Sequence, residues 1–462
     1  MALSKARSSA LRIACPRLLE TPLHGKSTHK SASCGHSPRV IAGLDAAIVP
    51  LPASRRQSHG VAAFTREHGE GWPHAIALYE QGRVGKGFAK GAAMAQPLSG
   101  IVVLDFTTLL PGPLATLMLA EAGTEVIRIE RPGGEELRRH PPYIDGESAV
   151  YALLNRGKKS IVLDLKAPDA PARLTPLLER CDVVVEQFRP GVMARLGLSY
   201  ETVKAVNPRA VYCAITGYGQ EGPRRNEAGH DLNYIAATGL LALSPGPPDR
   251  PTAPPALIAD IGGGAMPAVI NILLGLRRRD ATGTGCFIDI AMTDAMFTFA
   301  WHALASGFAE HRFPAPGAAR LTGGSPRYQL YPTGDGKLVA CAALEQKFWL
   351  AFCAAIGLEA PLADDQVDPA ATTAAVGRII AKRTAEEWEP VLAAADCCVT
   401  IVKDLEHALR DPHFAARGLF AHKVVTAKGA VMPALPVPID RGFREAPRTV
   451  PTLRPGEHDG LI

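Results

Sequence analysis

Two short segments thirty residues apart carry the groups best suited to chemistry in this 462-residue chain: Gly229-His230-Asp231-Leu232-Asn233-Tyr234 and Ala259-Asp260-Ile261-Gly262-Gly263-Gly264. An imidazole and a carboxylate have proton affinities close enough to exchange protons near neutrality. Such a pair is equipped to remove a proton from one face of a carbon and return one to the other. Each residue also has an ordinary reading, His230 as a structural histidine at a helix start and Asp260 as the N-cap of the apolar run that follows. The glycines weigh against the second. They let a ligand approach the backbone, and the N–H groups of Gly262, Gly263 and Gly264 are expected to support a developing enolate oxyanion. Asp231 is placed either to orient the imidazole or to cap a helix expected over Leu232 to Leu243. Glu345 is a further carboxylate just after an expected strand, where an ordinary N-terminal helix charge is the alternative.

The elements that position these groups become regular from Gly100 onward. Residues 101–106, 125–130, 160–165, 182–186, 210–216 and 286–290 read as buried strands, and residues 114–122, 170–180 and 192–196 as helices between them. Strands alternating with helices imply an α/β fold, a Rossmann-like doubly wound parallel sheet with right-handed crossovers. The first turn reads Thr107-Thr-Leu-Leu-Pro-Gly-Pro113 and not GxGxxG, which argues against a dinucleotide. Ligands of such sheets lie beyond the carboxyl ends of the strands. Arg131 follows the second strand there. Asn155-Arg156-Gly-Lys158-Lys159-Ser160 precedes the third, and Lys166 ends it. Gln187-Phe188-Arg189-Pro190-Gly191 ends the fourth, with Arg195 one turn on. Singly, each cation reads as a solvated surface charge; their recurrence at successive strand ends points equally to a ligand with several phosphates.

On this reading residues 94–312 form the large domain, 313–328 a Pro/Gly linker and 329–420 a smaller α+β domain. In the smaller domain Thr333-Gly-Asp-Gly336 predicts a hairpin turn. Residues 421–462 return to the large domain. The first 93 residues differ in kind, with 13 basic against 5 acidic groups, which leaves 37 basic and 40 acidic in the remainder. A nucleic-acid partner inferred from charge would therefore rest on that extension alone, and none is expected. The extension reads either as an organelle transit peptide or, the favoured reading, as sequence upstream of a start at Met94. Nine scattered cysteines without a CxxC fit reduced thiols in a cytoplasmic protein. The longest apolar run, around Met266 to Leu276, is too short to span a membrane and ends in Arg277-Arg278-Arg279.

In combination, Leu104-Asp105-Phe106 with Gly112-Pro113, Val126-Ile-Arg-Ile-Glu-Arg-Pro132, Asn155-Arg-Gly-Lys-Lys-Ser160, Phe188-Arg-Pro-Gly191 and Ala259-Asp-Ile-Gly-Gly-Gly264 resemble the family III CoA-transferases. The resemblance runs from about Pro97 to Phe420. Within that family, Gly229-His-Asp-Leu-Asn-Tyr234, Leu344-Glu345 and Asp396-Cys-Cys-Val-Thr400 are similar to the alpha-methylacyl-CoA racemase branch. The resemblance implies a two-domain subunit interlocked with a second copy as a homodimer, CoA on the Rossmann-like domain, and an active site at the domain interface. Arg131, Lys166, Arg189 and Arg195 match CoA-contacting positions, with Leu163 near the adenine and Gln187 and Phe188 in the same set. In transferases of the family the aspartate matching Asp260 is a nucleophile that forms an aspartyl-CoA thioester. In racemases the residues matching His230 and Asp260 are the acid/base pair, and Glu345 completes the site. The glycine-rich loop of formyl-CoA transferases is reduced here to Gly323-Gly324, and residues 1–93 have no counterpart. The expectation is a racemase or epimerase of 2-methyl-branched acyl-CoA thioesters, with no metal and no cofactor beyond the CoA of its substrate. A CoA-transferase working through Asp260 is the alternative, and a non-enzymatic CoA-binding scaffold a distant third.

Overall fold

In the computed structural model, which describes residues 96–246 and 251–462, six strands build one parallel sheet. The extension expected over residues 1–93 lies outside the described residues. The strands are β1 (Val102–Asp105), β2 (Glu125–Glu130), β3 (Lys159–Val162), β4 (Val183–Glu186), β5 (Val211–Thr216) and β6 (Cys286–Ala291). Their order across the sheet is β3-β2-β1-β4-β5-β6, every neighbour parallel. Chain direction across the sheet therefore reverses between β1 and β4, which opens a crevice at their carboxyl ends.

Successive strand residues face opposite sides of the sheet, and here both sides are apolar. Val103, Val183, Val185, Val211, Cys213 and Ile215 pack with the Pro111–Glu121 and Met266–Thr282 helices. Leu104, Ile127, Val184, Tyr212 and Ala214 pack with the Ala170–Arg180 and Tyr200–Val206 helices. Two helices depart from the sequence reading. The first begins at Pro111, three residues earlier than expected, because a proline in the first turn has no N–H to satisfy. The helix expected to reach Leu243 stops at Ala237; Gly239 turns left-handed (φ +79°) and a separate 3₁₀ turn covers Leu241–Leu243.

The apolar run around Met266 belongs to a 24-residue helical stretch, Ala259–Thr282, long and apolar enough by composition to cross a membrane. Half of it is buried, with Ala265, Ala268, Val269, Ile272 and Leu276 packed in the core beside the sheet. Met266, Ile270, Leu273 and Leu274 on the same stretch are exposed.

Strands Tyr328–Pro332, Leu338–Ala342 and Val399–Ile401 form a separate antiparallel sheet. The Thr333 N–H donates to Lys337 O (2.9 Å) and Gly336 takes φ +76°, as the Asp-Gly turn requires. Tyr331, Trp349, Phe352 and Trp388 fill its core. The C-terminal segment crosses back to the large sheet. Arg138 donates to Leu453 O (2.7 Å), His458 N–H to Ser160 O (2.9 Å) and Val162 N–H to the Asp459 carboxylate (2.7 Å). The last two bonds occupy the outer edge of β3, a row of backbone groups that would otherwise stand unpaired.

At the carboxyl end of β1 lies a buried ionic cluster. Asp105 accepts from the Thr107 N–H (2.9 Å) and hydroxyl (2.5 Å) and from the Thr116 hydroxyl (2.6 Å). It pairs with Arg128 (3.3 Å) and Lys158 (3.4 Å), and all three groups are fully buried. Lys158 also donates to Pro113 O, Thr116 and Asn155 (2.8–2.9 Å), and Arg128 to Thr107 O (2.9 Å) and Glu135. Burial alone would raise the Asp105 carboxyl, but Lys158 and Arg128 hold it well below the usual carboxylate range. The cluster thereby fixes the loop between β1 and its helix. Asp105→Ala leaves two buried cations short of their shared anion. The expected loss is about 3–5 kcal/mol of unfolding free energy in urea denaturation, and a loss under about 1 kcal/mol would contradict a structural role for the cluster.

Candidate active site

The loop after β5 delivers His230 to the N-terminus of the Asp231–Ala237 helix, and the stretch beginning at Ala259 delivers Asp260 beside it. What joins them is Asp231. Its buried carboxylate accepts the backbone N–H groups of Ala259 (2.7 Å) and Asp260 (3.0 Å). Asp231 thus caps the neighbouring helix rather than its own. It does not orient the imidazole, and Asp260, two residues inside the helix, is not the cap. His230 takes an extended conformation (φ −128°) and its N–H donates to the Asn233 side chain (3.0 Å). Below it, the Tyr234 hydroxyl donates to Gly229 O (2.5 Å) and its ring meets Tyr218 edge-on with centroids 5.4 Å apart. A Cβ at Gly217 or Gly229 would lie 2.4 or 2.6 Å from that ring, so both positions demand glycine.

His230 is exposed and Asp260 half-buried. Burial pushes the Asp260 carboxyl up to about 6, with the Asp231 carboxylate adding to the rise and His230 opposing it. His230 and Asp260 therefore lie within electrostatic reach of each other. The exposure of His230 is at odds with a histidine buried in the core. Glu345 is exposed at the N-terminus of the Gln346–Ile356 helix and caps nothing. Asp260 responds to Asp231 and His230 and not to Glu345, so the single chain brings two of the three expected residues together.

The glycines have a different task from the one expected. Ala259–Ala265 is π-helical, and within it the N–H groups of Gly263 and Gly264 turn back to carbonyls five residues earlier. They are not available to an oxyanion. A Cβ on Gly262 would meet the Phe299 ring at 2.5 Å, on Gly263 the Met292 carbonyl at 2.5 Å, and on Gly264 Pro111 at 2.9 Å. These glycines let three helices approach closely around Asp260. A π-bulge is itself a frequent companion of functional sites.

The cations sort into two groups. Arg128, Arg156 and Lys158 are buried and paired, Arg156 with Glu121 at 2.9 Å. Arg131, Lys166, Arg189 and Arg195 are exposed, and none makes an ion pair among the described residues. They follow β2, β3 and β4 at their carboxyl ends, around the crevice. Gln187 accepts the Gly112 N–H (3.0 Å), tying the β4 loop to the first helix across the switch in strand order. Phe188 is half-buried against the core, and its N–H donates to Glu186 (2.7 Å). The Leu163 side chain is 2% exposed and packs within the core, so only its backbone is left to face a ligand there.

The pair's electrostatics carry a direct consequence. A carboxyl whose folded pKa is raised is destabilising when ionised, so stability falls as pH rises from about 4 through about 6. Asp260→Asn removes the ionisable group. It is expected to raise the thermal midpoint at pH 8 and to leave it nearly unchanged at pH 4. An equal shift at both pH values would mean that the charge of Asp260 is not the cause.

The profile of CoA-transferase family III matches residues 98–459. Human alpha-methylacyl-CoA racemase is 34% identical over 330 residues, covering 70% of this chain and 82% of the human protein. Acetyl-CoA:oxalate CoA-transferase of Acetobacter aceti is 32% identical over 370 residues, covering 78% and 92%. Among solved structures, a CaiB/BaiF family protein from Brucella suis superposes with a TM-score of 0.67 at 27% identity, covering 80% of this chain and 99% of that one. The chain belongs to CoA-transferase family III.

Proposed function

We propose that the protein racemises or epimerises 2-methyl-branched acyl-CoA thioesters by α-proton abstraction and return. The observation that carries this reading is an exposed His230 set beside Asp260, whose carboxyl is pushed up to about 6. A carboxyl raised in this way can both hold and release a proton near neutrality. Either one can begin, which a reaction running both ways between enantiomers requires. One takes the α-proton, the thioester oxygen gathers the enolate charge, and the other returns a proton to the opposite face. Each positioned acid or base is typically worth ~10²–10⁴-fold in rate. The chemistry needs no metal and no cofactor beyond the CoA that the substrate brings.

Arg131, Lys166, Arg189 and Arg195, unpaired around the crevice, supply the charge to hold the CoA phosphates, with Gln187 and Phe188 at the turn between them. Exposed Ile270, Leu273, Leu274, Trp301 and Phe308 form apolar surface that a second copy would cover in a homodimer. Such a dimer offers a route for a partner subunit's Glu345 to reach the pair. The second reading, transfer of CoA between carboxylic acids with Asp260 as nucleophile, is favoured by the similarity to acetyl-CoA:oxalate CoA-transferase.

One experiment separates them. A (2R)-2-methylacyl-CoA incubated with enzyme in D₂O, without free acid, is expected to racemise and gain α-deuterium. His230→Ala is expected to lower that rate by at least about 10²-fold. A strict requirement for an acceptor acid, with a hydroxylamine-trappable CoA thioester at Asp260, would establish the transferase instead.

A further inference from the structure

Beyond the acid/base pair, the loop after β5 borders an open cavity of about 270 Å³ at the surface. Tyr218, Pro223, Ala237, Thr238, Thr293 and Phe297 line it. It lies at the far end of the Asp231–Ala237 helix, a seven-residue helix that spans ~10 Å. Tyr218 links the two places, since it forms cavity wall and meets Tyr234, whose hydroxyl holds the residue before His230.

The two threonine hydroxyls of the lining are already engaged. The Thr293 hydroxyl donates to Gly217 O (2.9 Å) and the Thr238 hydroxyl to Tyr234 O (3.0 Å). At the exposed side, Arg224 lies over the Tyr218 ring (4.5 Å to its centroid) and pairs with Glu227 (2.9 Å). Glu221, the other charged residue of the lining, is solvent-exposed. Phe297 remains 48% exposed, apolar surface with nothing over it. A cavity with apolar walls and satisfied hydrogen bonds rewards an apolar occupant and penalises a charged one.

We infer that this cavity receives the apolar far end of the substrate's acyl chain, and so selects acyl-CoA thioesters whose chain extends ~10 Å beyond the reacting carbon. A short acyl group cannot reach it. A distal carboxylate would enter it without a free cation, because Arg224 is already paired. The inference rests on reading the site as an acyl-CoA site.

Calorimetric titration of the full-length protein with butanoyl-CoA, decanoyl-CoA and 9-carboxynonanoyl-CoA tests it. Decanoyl-CoA is expected to bind at least about tenfold more tightly than butanoyl-CoA, a factor that two buried methylenes already supply. The carboxylated chain is expected to lose that gain. Ala237→Phe, at an exposed position on the cavity wall, is expected to abolish the gain while butanoyl-CoA affinity stays within about twofold. Equal affinities for the two saturated chains, or equal weakening of both by Ala237→Phe, would overturn the inference. Deuterium exchange with 2-methylbutanoyl-CoA and 2-methyldecanoyl-CoA reports the chemistry separately. A chain-length preference in binding without exchange sinks the racemase reading and leaves the cavity assignment standing; exchange without the preference does the reverse.

Discussion

Everything in the candidate site depends on one carboxylate that does no chemistry in the proposed reaction. Asp231, adjacent to His230 in sequence, accepts the N–H groups of Ala259 and Asp260 across 28 and 29 residues of chain. These N–H groups open a helix and have no partner within it, and the helix N-terminus favours negative charge. One set of bonds therefore satisfies two orphan donors and locks the helix bearing Asp260 to the loop bearing His230. It leaves the reactive side chains unrestrained. It also divides the labour between two neighbouring carboxylates. Asp231 holds the backbone donors, whereas Asp260 has burial and a negative neighbour to contend with, and its proton affinity rises.

The same logic operates at the opposite side of the crevice. Asp105, at the carboxyl end of β1, spends its charge inward on Arg128 and Lys158. Those two cations and Glu135 hold the backbone at Thr107, Leu109 and Pro113. The loop that faces the switch in strand order is thus anchored from beneath by ionic bonds shielded from water, where they are strongest. The loops after β2, β3 and β4, by contrast, carry the exposed Arg131, Lys166, Arg189 and Arg195, which make no ion pair among the described residues. A site for an anionic ligand needs this separation, since a cation already satisfied by a protein carboxylate has little left to offer a phosphate.

This separation marks the limit of what could be read from sequence. Strands were legible because their apolar runs are bounded by turn residues, and β2 and the Ala170–Arg180 helix fall on the residues expected. His230 and Asp260 stood out as candidates because both sit in distinctive glycine-rich contexts. Arg156 and Lys158, however, look no different in sequence from Arg131 and Arg189. Only the fold shows that the first two are buried against Glu121 and Asp105. Gly263 and Gly264 likewise looked like open backbone, and turned out to be points where the helix touches Met292 and Pro111, residues 29 to 153 positions away. Leu163 sits within the core for the same kind of reason. Contacts across such distances leave no periodic trace in the chain. Asp231 had one available signal, a carboxylate beside the candidate histidine, but not the identity of its partner.

The choice between the two chemistries turns on what a raised carboxyl pKa is good for. A nucleophilic carboxylate attacks as its anion, and a cause that favours the protonated form reduces the fraction ready to attack near neutrality. A group that must both receive and return a proton benefits from the opposite adjustment, because its affinity then approaches that of imidazole. Burial and Asp231 raise the proton affinity of Asp260, and the nearby His230 opposes the rise. Bound substrate would deepen the effect by displacing water from the half-exposed carboxyl, favouring its neutral form further. The local electrostatics thus favour proton return over attack at Asp260, and they arise from the same bonds that hold the two helices together.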